Sequence, residues 1–426
     1  MKIEQLHQYF LESKGICTDS RKIIEGCLFF ALKGDNFDGN KFAQEALEKG
    51  ALKVVIDDIR YHKNSGETIL SANALQLLQK LATYHRKHLD IPIIAITGSN
   101  GKTTTKELMC AFLAQKFNTS ATVANLNNHI GVPLTLLSMT SETELGIVEM
   151  GANHLKEIER LTAIIQPDYG YITNFGKSHL EGFGNLDGVI RAKSELYKYI
   201  KEHHKTVFVN GNDPKQMELT RSMKRVTFGN EEQDHYISLK DVSKTVSVTF
   251  DGLEIQSQLI GIYNFYNIAA AIAIGAYFEV PPTKIKTAIE NYVPSMNRSQ
   301  IIEKSGLRII LDAYNANPTS MMAALENFKQ AEGENKIMIL GDMFELGSEA
   351  EKEHQDITTF LENDPFGNVL LVGRNFFKTN TKASHITLLE SFEDLKNHLE
   401  THKPSNNFML IKGSRGMALE RVLDLL

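Results

Sequence analysis

Ile93-Ile-Ala-Ile-Thr-Gly-Ser-Asn-Gly-Lys-Thr-Thr-Thr105 decides the reading of this chain. An apolar, β-branched run ends in a glycine loop, and residues with helical spacing follow it (Leu108, Met109, Phe112, Leu113). Strand, glycine loop and helix N-terminus together form a cradle for phosphate oxygens, because backbone N–H groups converge there and the helix dipole favours an anion. Gly98, Ser99, Asn100 and Gly101 form the loop. Lys102 supplies a cation, Thr103 a hydroxyl able to ligate Mg²⁺, and Thr104 continues the helix start. The common form of the loop has a further glycine where Ile96 stands. The stretch is therefore a narrower variant, Thr97-Gly-Ser-Asn-Gly-Lys-Thr-Thr104.

A chain of 426 residues, 42% hydrophobic and 23% charged, has room for two to four domains with separate cores. Its formal charge of −6 opposes a general nucleic-acid binder, which is usually basic. Cys17, Cys27 and Cys110 are scattered and odd in number, with no Cys-x-x-Cys, so neither a disulfide framework nor a cysteine zinc site is expected. The N-terminus is amphipathic and mixed in charge, without a signal core, and no stretch approaches the ~20 apolar residues of a membrane span. These features predict a cytoplasmic protein.

Three blocks follow from the punctuation. Residues 1–88 hold strand-like pieces at 27–32 and 53–56 and helical ones at 41–49 and 72–88, closed by Asp90-Ile91-Pro92. Residues 89–294 alternate strands (93–97, 145–149, 169–173, 206–210) with helices (103–117, 155–165, 186–199, 265–278). That alternation predicts a mostly parallel sheet covered on both faces. A hairpin turning at Asp251-Gly252 is expected as an antiparallel addition at the sheet edge. Residues 295–426 repeat the rhythm, with strands at 307–311, 336–340, 368–372 and 408–411 and helices at 318–328 and 348–361. The expected fold is α/β in three domains, the last a smaller doubly wound, Rossmann-like sheet.

Polar residues concentrate where these strands end, which is where open α/β sheets bind ligands. Glu149 ends one strand and could hold a metal beside phosphates. His179, in the loop after the next, could be a metal ligand or a general acid/base. Lys193 and Glu195 lie on a helix, where spacing alone predicts a solvated face. Asn264 and Asn267 are three apart on one helix face. Such amides could read a purine edge, or Asn264 could cap the helix. In the third block, Asp312 to Ser320 (with Asn315 and Asn317), Gly341 to Gly347, and Lys412-Gly-Ser-Arg-Gly416 follow three strand ends, as if on one ligand-facing edge.

Taken together, these motifs resemble the Mur ligases of peptidoglycan synthesis over nearly the whole chain. Thr97–Thr104 is similar to the family's phosphate loop, including the absent glycine. Asn125-Leu-Asn-Asn-His-Ile-Gly-Val-Pro-Leu134 is similar to its asparagine-rich segment, and Tyr263-Asn264-x-x-Asn267 to its adenine-side motif. Asp312-Ala-Tyr-Asn-Ala-Asn-Pro-Thr-Ser-Met321 and Gly341-Asp-Met-Phe-Glu-Leu-Gly347 resemble the member that adds the terminal dipeptide. The Asp-Asn-Pro-Arg type of segment that reads diaminopimelate in the third-residue-adding sibling is absent. Thr18-Asp-Ser-Arg21 and Gly34-Asp-Asn-Phe-Asp-Gly39 resemble the UDP-sugar domain of the late ligases, with Asn40 where their pattern has His.

The resemblance implies an ATP-driven amide ligase joining D-alanyl-D-alanine to UDP-N-acetylmuramoyl-tripeptide through an acyl phosphate. It implies Lys102 on the β/γ-phosphates, Thr103 and Glu149 on one Mg²⁺, and His179 and a carbamylated Lys193 on a second. Arg298 and Asp312 would reach the nucleotide on domain closure. Ser20, Arg21 and Asp38 would bind the UDP substrate. Asn315, Asn317, Lys412, Ser414 and Arg415 would lie near the dipeptide or phosphate. A monomer is expected. Competing readings are the third-residue-adding ligase, a folylpolyglutamate synthase and a P-loop kinase or regulatory NTPase. The folate enzyme places its phosphate loop much nearer its N-terminus. A kinase leaves the first and third blocks unexplained.

Overall fold

A computed structural model describes residues 1–294, 297–405 and 407–426. It contains three parallel-rich sheets in chain order. The boundary expected at 294/295 meets residues outside the described ones.

The first sheet is small and all parallel, in the order Ile16–Cys17, Leu28–Phe30, Lys53–Ile56, Thr68–Leu70. Its carboxyl edge carries the turn after Cys17, the short hairpin Lys33–Asp38 and the turn after Ile56. The helix Ala74–Leu89 then leads into the central sheet, N-capped by Asn73 and ended by Asp90 at φ +49.

The central sheet has seven parallel strands, in the order 235–236, 225–229, 206–210, 169–172, 93–97, 145–149, 119–121. Its strands Ile93–Thr97, Leu145–Glu149 and Thr206–Asn210 are buried at every residue, as expected for a sheet covered on both faces. Strand order reverses at Ile93–Thr97: the chain steps to Leu145–Glu149 on one side and Tyr169–Ile172 on the other. A crevice opens at such a switch point, and the glycine loop lies in it. The third sheet runs 300–304, 307–312, 408–412, 337–341, 368–372, 386–389, with only the first pair antiparallel.

Two expectations need correction. The hairpin at Asp251-Gly252 is not an edge addition. With Ser238–Asp241 it forms a separate three-stranded sheet. Val248, Phe250 and Ile255 join the core of Ile94, Leu108 and Phe112 from outside the parallel sheet. The helix expected at 186–199 breaks at Ser194 into Leu186–Lys193 and Glu195–Glu202. Among the described residues, no helix is long and apolar enough to cross a membrane.

Candidate active site

The glycine loop is held in place by the segment after its neighbouring strand. Asn174 accepts from Ser99 N through its carbonyl and from Asn100 N through its side chain, each at 3.1 Å. Thr173 Oγ1 donates to the Asn100 carbonyl at 2.6 Å, and Ser99 Oγ donates to the Gly176 carbonyl at 2.8 Å. Two glycines are obligatory here. Gly98 has φ +143, and a Cβ there would lie 1.9 Å from Thr173 Oγ1; Gly101 has φ +80, and its Cβ would lie 2.2 Å from Asn267 Oδ1. The helix Lys102–Leu113 starts directly from Gly101. Its first-turn N–H groups have no intrahelical acceptors and are available to an anion.

A cavity of about 690 Å³ opens over this helix start. Its walls come from both the central and the third domain. Ser99 to Thr104, Asn127, Glu149, His179, Asn264 and Asn267 line one side. Arg298, Asp312, Tyr314, Asn315, Asn317, Glu345 and Lys412 line the other. The two sides touch: Asn317 Nδ2 donates to Asn100 Oδ1 at 2.8 Å, Lys177 N to Thr319 Oγ1 at 2.9 Å, and Lys177 Nζ meets Glu353 at 2.5 Å.

Within the cavity, Thr103 Oγ1 donates to Glu149 Oε2 at 3.1 Å, while Asn127 Nδ2 donates to Glu149 Oε1 at 2.9 Å. Glu149 is buried. Two hard oxygens side by side, open to phosphate and water, fit Mg²⁺, which is usually held by one or two carboxylates plus substrate phosphates. Among the described residues no three His, Cys, Asp or Glu side chains converge, so the protein alone does not enclose a metal. Lys102 Nζ folds back onto the carbonyls of Gly98 (2.7 Å) and Ser99 (3.3 Å). Burial lowers its pKa, opposed by Glu149.

Lys193 overturns the solvated-face expectation. It is 1% exposed, its Nζ reaches only the Ala152 carbonyl, at 3.4 Å, and it lies 5.3 Å from the centre of the Phe183 ring. Burial, and then the charge of Lys102, hold its pKa down to about 7. His179 packs against the same Phe183 ring, with centroids 6.3 Å apart, and its Nδ1 lies 2.5 Å from Glu345 Oε2. That imidazole holds the Glu345 carboxyl below its ordinary pKa. Lys193 therefore stands behind the cavity wall and His179 in it. Glu195 caps the helix Glu157–Ile165 from outside, accepting from Lys156 N and Glu159 N.

Asn264 and Asn267, which line the cavity, are also hydrogen-bonded within their own domain. Asn264 Nδ2 donates to the Ile260 carbonyl, Asn267 Nδ2 to Asn264 Oδ1, and Thr105 Oγ1 to Asn267 Oδ1. The capping position belongs to Gly261, so Asn264 is not the N-cap. Across the cavity, the Arg298 guanidinium lies 3.7 Å over the Tyr314 ring, and its buried Nε has no hydrogen-bond partner among the described residues. Lys412 Nζ donates to Asp312 Oδ2 at 2.6 Å.

Besides Gly98 and Lys193, which do not line the cavity, five expected residues lie away from it. Ser414 is buried: it accepts from Phe344 N and donates to the Ala316 carbonyl, tying together the three strand-end loops. Arg415 points out to Glu420. Ser20, Arg21 and Asp38 lie on the carboxyl edge of the first sheet. Asp19 caps the turn Ser20–Lys22 and also holds Arg21, at 2.9 and 2.8 Å. Asp58-Ile59-Arg60, two strands across, makes the same turn with the same carboxylate–guanidinium fork. Asn40 bridges Asp38 and Asp57 at 2.8 and 2.9 Å. Asn127 and Glu345 went unselected from the sequence, although both lie in segments noted there.

Known proteins match the chain across all three sheets. Three family models match in order: "Mur ligase family, catalytic domain" over residues 12–86, "Mur ligase middle domain" over 96–275 and "Mur ligase, glutamate ligase domain" over 297–415. A UDP-N-acetylmuramoyl-tripeptide–D-alanyl-D-alanine ligase of Bacillus subtilis is 34% identical, covering 96% of this chain and 92% of the relative. The Escherichia coli protein of the same name is 31% identical, covering 96% and 92%. A crystal structure of MurF from Acinetobacter baumannii superposes with a TM-score of 0.87 at 30% identity, covering 100% of this chain and 98% of that one. MurF from Thermotoga maritima, solved with ADP, gives 0.86 at 26% identity, covering 98% and 97%.

Proposed function

The chain belongs to the Mur ligase family, and from that premise we propose that it joins D-alanyl-D-alanine to UDP-N-acetylmuramoyl-tripeptide, consuming ATP. The observation that carries this reading is the single cavity shared by the phosphate loop of the central domain and the Asp312, Asn315 and Lys412 edge of the third. A nucleotide and a carboxylate acceptor can meet there.

The first step has the terminal carboxylate oxygen of the tripeptide attack the γ-phosphorus. The β–γ bridging bond breaks, ADP leaves and an acyl phosphate forms. The dipeptide amine then attacks the acyl carbon, loses a proton and expels phosphate. The barrier is electrostatic: two unit negative charges roughly 4 Å apart repel by about 4 kcal/mol at an effective dielectric of about 20. Positioning and fixed positive charge therefore carry most of the work. Lys102 would exchange the carbonyls of Gly98 and Ser99 for the β/γ-phosphates. Arg298, whose Nε has no partner among the described residues, would meet the nucleotide from the third domain. Lys412, held by Asp312, would face the phosphate or the incoming dipeptide together with Asn315 and Asn317.

Thr103 and Glu149 would hold one Mg²⁺, which when bound neutralises charge on the phosphates. A second ion would need an anionic ligand beside His179. Lys193 can provide one only as a carbamate. Burial favours its uncharged amine, the form able to take up CO₂. Ser20, Arg21 and Asp38 would bind the UDP moiety on the first domain. Closure of the third domain over the cavity would keep water from the acyl phosphate.

The test is ADP release with UDP-N-acetylmuramoyl-tripeptide present. Release should depend on D-alanyl-D-alanine and should not be supported by diaminopimelate, lysine or glutamate. Turnover with one of those amino acids instead would overturn the dipeptide assignment.

A further inference from the structure

The loop after strand Ile337–Gly341 reaches into the central domain at one point, and the reading above does not use that contact. Glu345 Oε2 lies 2.5 Å from His179 Nδ1, a buried nitrogen that makes no well-angled hydrogen bond among the described residues, so the two are in close ion-pair contact. Both residues take the left-handed backbone, His179 at φ +51 and Glu345 at φ +62. Such a conformation is strained at a non-glycine residue and persists only where the surroundings enforce it.

The enforcement is visible on both sides. The Glu345 carbonyl accepts from Glu181 N at 3.1 Å. Gly347, at φ +55, sits so close that a Cβ would lie 3.1 Å from Glu181 Cα. From behind, Met343 N donates to His354 Nε2 at 3.0 Å and Phe344 N to Ser414 Oγ at 2.9 Å. The third domain thus holds this loop rigidly, and its tip clamps residues 179–181. A carboxylate can only accept hydrogen bonds, so the nitrogen facing it must carry the proton. The other nitrogen of a neutral ring is then a free lone pair.

We propose that Glu345 is a positioning residue: it holds His179 in the Nδ1–H tautomer and presents Nε2 to the cavity. A residue of the third domain thereby sets the orientation of a central-domain imidazole. A second group that fixes the tautomer of a ligating histidine is a recurrent device, and its loss costs roughly 10–100-fold. The tautomer assignment stands on geometry alone. Its consequence for turnover rests on the reading in the preceding subsection.

The experiment uses the full-length, ligand-free protein with ¹⁵N-labelled histidine, its His179 signals assigned by His179→Gln. The wild type should show Nδ1 protonated and Nε2 bare. Glu345→Ala should move His179 toward the opposite tautomer, and Glu345→Gln, which keeps an acceptor oxygen, should not. In steady state, Glu345→Ala should lower kcat by roughly 10–100-fold, leave KM for ATP little changed, and be largely rescued in Glu345→Gln. The Glu345 side chain is about half exposed, so both variants should unfold at the wild-type temperature. An unaltered His179 tautomer in Glu345→Ala, or equal losses in the two variants, overturns the proposal. A tautomer change with normal kcat supports the clamp and instead overturns the role given to His179 in the reaction.

Discussion

Gly98→Ala tests the central reasoning about the phosphate loop, because its effect follows from one measured gap. The added Cβ would stand 1.9 Å from Thr173 Oγ1, where ordinary contact begins at 3.4 Å, so one partner must move by about 1.5 Å. Thr173 cannot yield freely. Its hydroxyl donates to the Asn100 carbonyl at 2.6 Å, and its strand pairs with the loop strand up to Ile172↔Thr97. The backbone at φ +143 adds strain of roughly 1–3 kcal/mol for a residue with a Cβ. Loss of the Thr173 hydrogen bond adds about 1 kcal/mol. The total is about 2–4 kcal/mol, felt at the loop that must cradle the phosphates. A displacement of about 1 Å in such a loop lowers turnover by roughly 10²-fold.

The assay is ADP release as a function of ATP, alongside thermal unfolding. Gly98→Ala should lose at least about 10²-fold in kcat/KM for ATP. Gly34→Ala, with nothing within 4 Å of its added Cβ, should leave that parameter unchanged. The double variant Gly98→Ala/Thr173→Ala removes the oxygen at 1.9 Å and leaves a Cβ contact at 3.0 Å, so it should regain part of the loss. ATP kinetics within about threefold of wild type in the single variant would refute the argument that the close approach at Gly98 shapes the site.

Lys102→Ala should abolish ADP release, and near-normal turnover would remove the lysine from phosphate binding. Lys193→Ala should be nearly inactive and partly restored by short carboxylic acids; unaided activity would exclude a carbamate at that position. Arg21→Ala should raise KM for the UDP substrate far more than KM for ATP, and equal changes would contradict the separation of the two sites. His7 and His85 give a pH dependence. His85 Nε2 faces the Met139 carbonyl at 2.9 Å and must carry the proton, so His7 Nε2 donates to His85 Nδ1 at 3.0 Å. Burial, then the neighbouring histidines, lower the His7 pKa to about 4, and burial lowers that of His85. Because the unfolded chain takes up these protons first, stability is full above about pH 6.5 and falls as pH drops toward 4. His7→Phe should flatten that fall in an unfolding series from pH 7 to 4, and an unchanged slope would disprove it.

The strand–loop–helix unit was legible because its determinants are local. β-branched residues, two glycines and the lysine that opens the helix lie close together in the chain, and the fold they dictate is set within that stretch. The carboxyl edges of the strands were legible for a similar reason, since a polar loop after an apolar strand marks the edge wherever the sheet lies. Burial at a distance was not legible. Lys193 has the helical spacing of a solvated residue, yet the chain breaks at Ser194, and Phe183 from the preceding short helix covers its amine. Ser414 and Arg415 are neighbours of one type of loop, and only the third dimension separates them: Phe344 N draws the first inward, and Glu420 holds the second outside. The asparagines at 264 and 267 show the same limit, since their spacing does not reveal the bonds they make to Ile260, to each other and to Thr105 while lining the cavity. Glu345 is the sharpest case. Its segment Gly341–Gly347 stands out as a polar strand-end loop, but nothing in it sets Glu345 apart from its neighbours, and its partner His179 lies in another domain. A site assembled between two domains is therefore readable from sequence as two halves. The residues that join the halves, Asn100 with Asn317 and His179 with Glu345, become visible only when the domains are docked.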